Sequence, residues 1–212
     1  MAGLVGSEMC IRDRLYINNG DLTFTEMAAD YGLDDTGYST HAAFFDYDRD
    51  GDLDCYLLNN SYKGGFRITN IGTNQRPIRD SVGGDKLFRN DDGYFNDVSE
   101  ESGIYGSVIG FGLGVTVGDV NNDGWMDIYV SNDFFERDYL YINNADGTFS
   151  EELEYQIKSI SAASMGADMA DINNDGYSEI FVTDMLPEPD ERIKTVTTFD
   201  NWDRHQLSLI HI

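Results

Sequence analysis

A nine-residue acidic loop occurs three times in this chain, each time between segments with the alternation of β-strands. The loops read DYDRDGDLD from residue 46, DVNNDGWMD from residue 119 and DINNDGYSE from residue 171. Oxygen-bearing side chains stand at positions one, three, five and nine, and glycine at position six permits a sharp turn. Such converging oxygens repel one another unless a hard cation neutralises them. The loops therefore predict about three Ca²⁺ sites.

The predicted ligands also include the seventh residue of each loop, through its backbone carbonyl. They are Asp46, Asp48, Asp50, Asp52 and Asp54 in the first loop, Asp119, Asn121, Asp123, Trp125 and Asp127 in the second, and Asp171, Asn173, Asp175, Tyr177 and Glu179 in the third. The first loop has the most carboxylates. Its charge predicts the tightest site, unless repulsion distorts the empty loop.

The flanks of the second loop distinguish it from an EF-hand. Phe111, Leu113 and Val115 alternate with small residues before it, and a short apolar run follows it. An EF-hand would place a bidentate glutamate at position twelve and continue into a helix. Val130 occupies position twelve here. The sequence therefore predicts a strand–Ca²⁺ loop–strand unit.

A second motif shows that this unit is repeated in tandem. LYINNGDLTF, LFRNDDGYF and LYINNADGTF begin at Leu15, Leu87 and Leu140, which we call the landmark leucines. They precede the first residues of the three loops by 31, 32 and 31 residues. We therefore expect repeats at about 15–60, 87–133 and 140–186.

Composition limits the possible partners. The 212 residues carry a net charge of −25, with 41% hydrophobic and 13% aromatic residues. The apolar content excludes general disorder. The charge argues against nucleic acid and anionic membrane surfaces. No apolar run has the length of a transmembrane helix.

The two ends of the chain look foreign to it. Segments 1–14 and 207–212 contain SEMCIRDR and LSLIHI, which resemble translated sequencing-adapter read-through. Ordinary flexible termini are the alternative. If they are read-through, the absence of a signal peptide says nothing about export. In that case Cys10 is not a native cysteine and Cys55 has no partner for a disulfide. Cys55, in an apolar strand, is expected to be buried and free.

Two further features have competing interpretations. His41 stands where the other repeats have Gly114 and Gly166, residues that predict close approach of another backbone. It is interpreted as a structural histidine rather than a ligand or catalytic group. Residues 60–86 form an insertion that contains five basic residues, Lys63, Arg67, Arg76, Arg79 and Lys86. It predicts contact with an acidic glycan or protein partner, and a solvated surface loop is the alternative.

The loops, with their glycine-rich strand before and [IC]-[YF]-[LV] strand after, resemble FG-GAP/VCBS-type repeats, the blades of integrin-α-like β-propellers. Two segments are most similar in sequence to bacterial VCBS-repeat proteins of the cartilage-acidic-protein (ASPIC/UnbV) type: SNDFFERDYLYINNADGTF and SMGADMADINNDGYSEIFVTDMLPE. The resemblance covers residues 15–206. It departs from the pattern at Glu179, which replaces the closing aspartate, and in GDLTF, which lacks the glycine expected in DGTF.

The resemblance implies an all-β fold, with residues 15–206 as part of a propeller of about seven blades. It also implies structural calcium at the base of the blades, and export to the cell envelope or outside. Since the acidic clusters lie in the calcium loops and no catalytic pair stands apart from them, we expect a binding or adhesion scaffold and no enzyme. Two alternatives remain: the non-catalytic propeller of a polysaccharide-processing enzyme, and a calcium-filled stalk like thrombospondin type 3 arrays.

Overall fold

The computed structural model describes residues 12–60, 74–133, 136–161 and 163–185, and strands predominate in it. Its strands are β1 (Tyr16–Asn18), β2 (Phe24–Glu26), β3 (Ser39–Phe45), β4 (Asp54–Asn59), β5 (Lys86–Asp91), β6 (Tyr94–Asp97), β7 (Gly112–Gly118), β8 (Asp127–Asn132), β9 (Tyr139–Asn143), β10 (Phe149–Glu151), β11 (Ser164–Ala170) and β12 (Glu179–Asp184). Its helices are α1 (Ala28–Tyr31) and α2 (Leu153–Gln156). Within these ranges no helix is long and apolar enough to cross a membrane.

Two four-stranded antiparallel sheets contain most of the strands. One has the order β3-β4-β5-β6 and the other β7-β8-β9-β10, so neighbours in each sheet are also consecutive in the chain. The pairs β1-β2 and β11-β12 form two smaller antiparallel sheets. Four-stranded sheets of this kind are the blades of β-propellers. The all-β class and the blade architecture expected from the sequence are confirmed.

Each four-stranded sheet begins at the strand before an acidic loop. The loops 46–54 and 119–127 join the first strand of a sheet to its second, and the loop 171–179 joins β11 to β12 in the same way. The hairpins at Leu87 and Leu140 supply the third and fourth strands, whereas the hairpin at Leu15 forms the two-stranded sheet β1-β2. Each four-stranded sheet therefore combines strands from two of the expected repeats, whose boundaries at 15–60, 87–133 and 140–186 remain predictions.

The first strands of successive sheets contact one another, as the glycines within them predicted. Strand β7 contacts both β3 and β11. A Cβ atom added to Gly114 would lie 2.9 Å from the Cα atom of Gly166, closer than such atoms approach in proteins. The glycine at this position therefore permits the close approach of β7 and β11.

His41 takes part in the contact between the first two sheets. Its Nδ1 atom accepts a hydrogen bond from the backbone N–H of Val115 at 3.3 Å. One residue earlier, the Thr40 hydroxyl donates to the carbonyl of Gly112 at 2.8 Å. These bonds support the interpretation of His41 as a structural residue.

A hydrophobic core fills the space between the two four-stranded sheets. It includes Tyr47 of the first acidic loop and buried aromatic and aliphatic side chains of both sheets: Phe45, Tyr56, Leu58, Leu87, Val115, Ile128, Val130, Tyr139, Tyr141 and Phe149. A second cluster contains Cys55, Leu57 and Phe88. Cys55 is buried and free, as predicted, and burial raises the pKa of its thiol to about 12.

The first four-stranded sheet also buries an aspartate that the sequence analysis did not identify. Asp85 stands two residues before a landmark leucine. It accepts hydrogen bonds from the backbone N–H of Asn59 at 2.9 Å and from the Tyr56 hydroxyl at 3.0 Å. Burial raises the pKa of Asp85 to about 7, although both hydrogen bonds favour the charged form.

The second sheet repeats this arrangement. Asp138 accepts from the backbone N–H of Asn132 and from the Tyr129 hydroxyl, both at 2.7 Å. In the third repeat, Phe181 and Asp184 occupy the places of the tyrosine and the asparagine. The sequence feature that could have identified these buried aspartates is an aspartate two residues before each landmark leucine.

Several predictions fall on residues outside the described ranges. These are most of the suspected foreign segments (1–11 and 207–212), Cys10, and residues 61–73 of the insertion. Residues 12–14 are described: the backbone N–H of Asp13 donates to the carbonyl of Asp35, and the Ser39 hydroxyl donates to the Asp13 carboxylate. The foreign origin of 1–14 and 207–212 remains a prediction.

The close approach of β7 and β11 predicts a marked difference between two equivalent glycines. We expect Gly114→Ala to lower the free energy of unfolding by about 1–3 kcal/mol, because the new methyl group would overpack against the backbone of β11. Gly166→Ala is the matched control, since its Cβ would meet nothing closer than the Thr183 hydroxyl at 4.0 Å. Urea denaturation would measure both. Equal effects would contradict the packing described for β7.

The raised pKa of Asp85 predicts a pH-dependent stability. As pH rises from about 4 to about 7, the unfolded chain loses this proton before the folded chain does, so the free energy of unfolding falls. Asp85→Asn has no such proton to lose, and its amide can still accept from Asn59 and contact Tyr56. The melting temperature of Asp85→Asn, minus that of the wild type, should therefore increase from pH 4 to pH 7.

The exposed Asp92 provides a control with the same change of charge. The difference in melting temperature between Asp92→Asn and the wild type gives the baseline at each pH. A difference for Asp85→Asn that stays parallel to this baseline would show that Asp85 is ionised in the folded protein throughout.

Candidate metal centre

All three acidic loops fold into the same turn, because the first aspartate of each accepts a hydrogen bond from the sixth residue. The glycine N–H donors lie 2.8–3.1 Å from the carboxylates. The pairs are Gly51 with Asp46, Gly124 with Asp119, and Gly176 with Asp171. The loop thus closes on itself through a charge-assisted hydrogen bond.

Two further hydrogen bonds recur in every loop. The side chain of position three accepts from the N–H of position five, and the side chain of position five accepts from the N–H of position seven. The bonds from position five join Asp50 to Asp48, Asp123 to Asn121 and Asp175 to Asn173. Those from position seven join Asp52 to Asp50, Trp125 to Asp123 and Tyr177 to Asp175. The oxygens of positions one, three and five are therefore held by one local turn.

The backbone of each loop is left-handed at two residues. The glycines at position six have φ of 99°, 87° and 93°, as the sequence predicted. Position four is also left-handed, with φ of 63° at Arg49, 59° at Asn122 and 60° at Asn174. Asparagine tolerates this conformation, whereas arginine adopts it rarely. The sequence at Arg49 therefore gave no sign of it.

The first loop brings three carboxylates together. One oxygen from each of Asp46, Asp48 and Asp50 lies within 4.8 Å of the others. Burial and the negative charge of Asp50 raise the pKa of Asp48. The Oδ1 atom of Asp46 is buried and has no hydrogen-bond partner among the residues that the structure describes. A carboxylate with an orphaned oxygen, close to two further carboxylates, is an environment that a hard cation would satisfy, so the donor set fits Ca²⁺.

The acidic side chain at position nine joins the end of the loop to its beginning through a hydrogen bond from the backbone N–H of position two. Asp54 accepts from the backbone N–H of Tyr47 at 3.0 Å and, with its other oxygen, from that of Asn90 at 2.9 Å. Burial raises the pKa of Asp54 to about 6. The three carboxylates gathered above do not include Asp54, and its role as a cation ligand remains a prediction.

The position-nine acids of the other two loops accept the same hydrogen bond from position two. Asp127 accepts from the N–H groups of Val120 at 3.0 Å and Asn143 at 2.9 Å, and burial raises the pKa of Asp127. In the third loop Glu179 accepts from the N–H of Ile172 at 2.9 Å. The longer glutamate thus reaches the same backbone donor as the aspartates. The carbonyls of Asp52, Trp125 and Tyr177 also remain predicted ligands.

The described part of the insertion uses its basic residues within the chain. Arg76 pairs with buried Glu136, their Nε and Oε1 atoms 2.7 Å apart. Arg79 donates to the carbonyl of Ile104 at 2.7 Å and to that of Asp85 at 3.2 Å. Lys86 pairs with Asp35. These three cations were expected to contact a partner, and the structure instead engages them in internal bonds. Lys63 and Arg67 lie outside the described residues.

Comparison with known proteins agrees with this repeated geometry. The model of the FG-GAP-like repeat matches residues 7–57, 78–130 and 119–182. Integrin alpha-3 of Mus musculus and integrin alpha-3 of Cricetulus griseus are each 30% identical over 99 residues. That alignment covers 41% of this chain and 9% of each integrin. Because the repeat model matches more than half of the chain, the chain belongs to the family of FG-GAP-like repeat proteins.

Proposed function

We propose that the chain is a calcium-binding propeller scaffold without catalytic activity, which binds a protein partner outside the cell. The observation that carries the proposal is the orphaned Asp46 oxygen beside Asp48 and Asp50. The hydrogen bonds of that loop recur in the other two. The similarity to integrin alpha-3 supports a binding role and an extracellular location.

About three Ca²⁺ ions would be held by the residues at positions one, three, five, seven and nine of each loop. The first loop has the most carboxylates and is expected to bind most tightly. Extracellular calcium modules bind with dissociation constants of about 10⁻⁴ to 10⁻³ M. Bound Ca²⁺ would offset the repulsion within each loop and stabilise the folded chain by mass action.

Removal of one ligand charge should weaken the first site. We expect wild-type protein to gain several degrees in melting temperature in 10 mM Ca²⁺, which is roughly tenfold or more above the expected dissociation constants. Asp48→Asn should gain less, and calorimetry should detect about one fewer site in the millimolar range. Differential scanning fluorimetry and titration calorimetry would provide these measurements.

Asp92→Asn is again the matched control, because it removes the same charge from the β5–β6 turn, at the same end of the sheet. It should leave the calcium response intact. The calcium proposal would be disproved if wild-type protein showed no heat of binding on titration with Ca²⁺ and no change in melting temperature. Equal losses in the two variants would assign the effect to net charge alone.

The partner surface is proposed to lie at the end of the sheets opposite to the loops. In an antiparallel sheet the β3–β4 loop and the β4–β5 connection lie at opposite ends, and the insertion is part of the β4–β5 connection. Of its basic residues, Lys63 and Arg67 are the candidates for contact with an acidic protein or glycan. Their contribution would be salt-sensitive, as charges at the rim of an interface are.

The internal bonds of Arg79 predict that its loss affects stability. Arg79→Ala should lower the free energy of unfolding by about 1.5–3 kcal/mol, because hydrogen bonds from a charged donor to two carbonyls would be lost. Arg89→Ala is the control: Arg89 pairs at the surface with Asp91, and little change is expected. Urea denaturation would compare them. If Arg79→Ala were as stable as the control, Arg79 would again be a candidate for contact with the partner.

A further inference from the structure

Neighbouring acidic loops contact one another through their fourth residues. The guanidinium carbon of Arg49 in the first loop lies 4.8 Å from the centre of the Trp125 ring in the second. The side-chain amide of Asn122 in the second loop donates to the carbonyl of Gly176 in the third at 2.6 Å. In both cases position four of one loop reaches position six or seven of the next. Position four therefore makes a contact at both junctions between loops, by stacking on a ring at one and by a hydrogen bond at the other.

These contacts join the parts of the loops that a cation would organise. Arg49 stands between Asp48 and Asp50, two of the three gathered carboxylates. Trp125 would supply a backbone carbonyl to the second ion, and Gly176 directly precedes Tyr177, which would do so in the third loop. Arg49 and Asn122 both have a left-handed backbone, and the side chain of each contacts the next loop. An ion in one loop would therefore fix the residue that holds the next loop.

Resting on the calcium binding proposed above, we infer that Arg49 and Asn122 are positioning residues that couple the three loops, so that an ion in one loop raises the affinity of the next. Binding at one site can change affinity at another only through an interaction whose free energy differs between the filled and empty states. The contacts of Arg49 with Trp125 and of Asn122 with Gly176 are the links through which such a coupling would act.

Electrostatics acts in the opposite direction. An ion in the first loop reduces the negative potential that attracts an ion to the second. This effect is screened by salt beyond a Debye length of about 8 Å at physiological ionic strength, and more strongly at 1 M. A contact between touching groups is screened less. The coupling should therefore be measured at high salt, where the stacking of Arg49 on Trp125 dominates.

Trp125 itself can report the second loop. The chain has two tryptophans, so Trp202→Phe leaves Trp125 as the single tryptophan, which can be excited selectively at wavelengths that tyrosine does not absorb. Calcium titration in 1 M KCl then gives the midpoint of the second loop. Arg49→Ala should raise that midpoint by about two- to five-fold, the range that corresponds to an exposed cation–π contact. In a chain whose first loop is disabled by Asp48→Asn and Asp50→Asn, Arg49→Ala should leave the midpoint unchanged.

Arg89→Ala is the matched control, because Arg89 lines the same crevice of about 380 Å³ as Trp125 and Asp48. It should leave the midpoint unchanged in both backgrounds. Equal shifts by Arg49→Ala with the first loop intact and disabled would show that Arg49 only shapes the second loop, which overturns the coupling and leaves calcium binding standing. No calcium response in emission or calorimetry would contradict both proposals.

Discussion

Hydrogen bonds from backbone N–H groups to carboxylates are the interaction on which this structure depends. The strand ladders leave donors unpaired wherever the chain turns, and an unpaired buried donor is costly. Asp46, Asp54 and their equivalents accept these donors in the loops, and Asp85 does so inside the first sheet. A charged acceptor strengthens such bonds roughly twofold. The acidic residues therefore shape the backbone first, whatever else they bind.

This use of carboxylates concentrates negative charge. The net charge of −25 is not spread evenly over the surface, because each turn needs several acceptors close together. Asp48 and Asp50 accept donors within one loop and also repel each other, and this repulsion adds to burial in raising the pKa of Asp48. A divalent cation offsets that repulsion without displacing the hydrogen bonds, since a carboxylate has lone pairs for both. Local folding and cation binding therefore require the same residues.

The sequence predicted those features that depend on local chemistry. Strand periodicity, the glycine at position six and burial of Cys55 all follow from neighbouring residues. The left-handed backbone at Arg49 could not be predicted, because the surrounding hydrogen bonds impose it against the preference of arginine. The contacts of Arg79 join the insertion to Ile104, 25 residues away, so nothing local identified them. Sheet composition was missed for the same reason: a sheet combines strands from two repeats.

That division of each sheet has a consequence for how such an array can grow. In both four-stranded sheets the buried aspartate accepts from a tyrosine encoded upstream of it, Asp85 from Tyr56 and Asp138 from Tyr129. Recombination that duplicates the first or second unit would carry a tyrosine along and satisfy the aspartate that follows. A copy of the third unit would present Phe181 instead, which has no hydroxyl. Hydrogen-bond chemistry therefore constrains the order of the units. A copy of the third unit could stand before such an aspartate without loss of the hydrogen bond only if Phe181 were replaced by tyrosine.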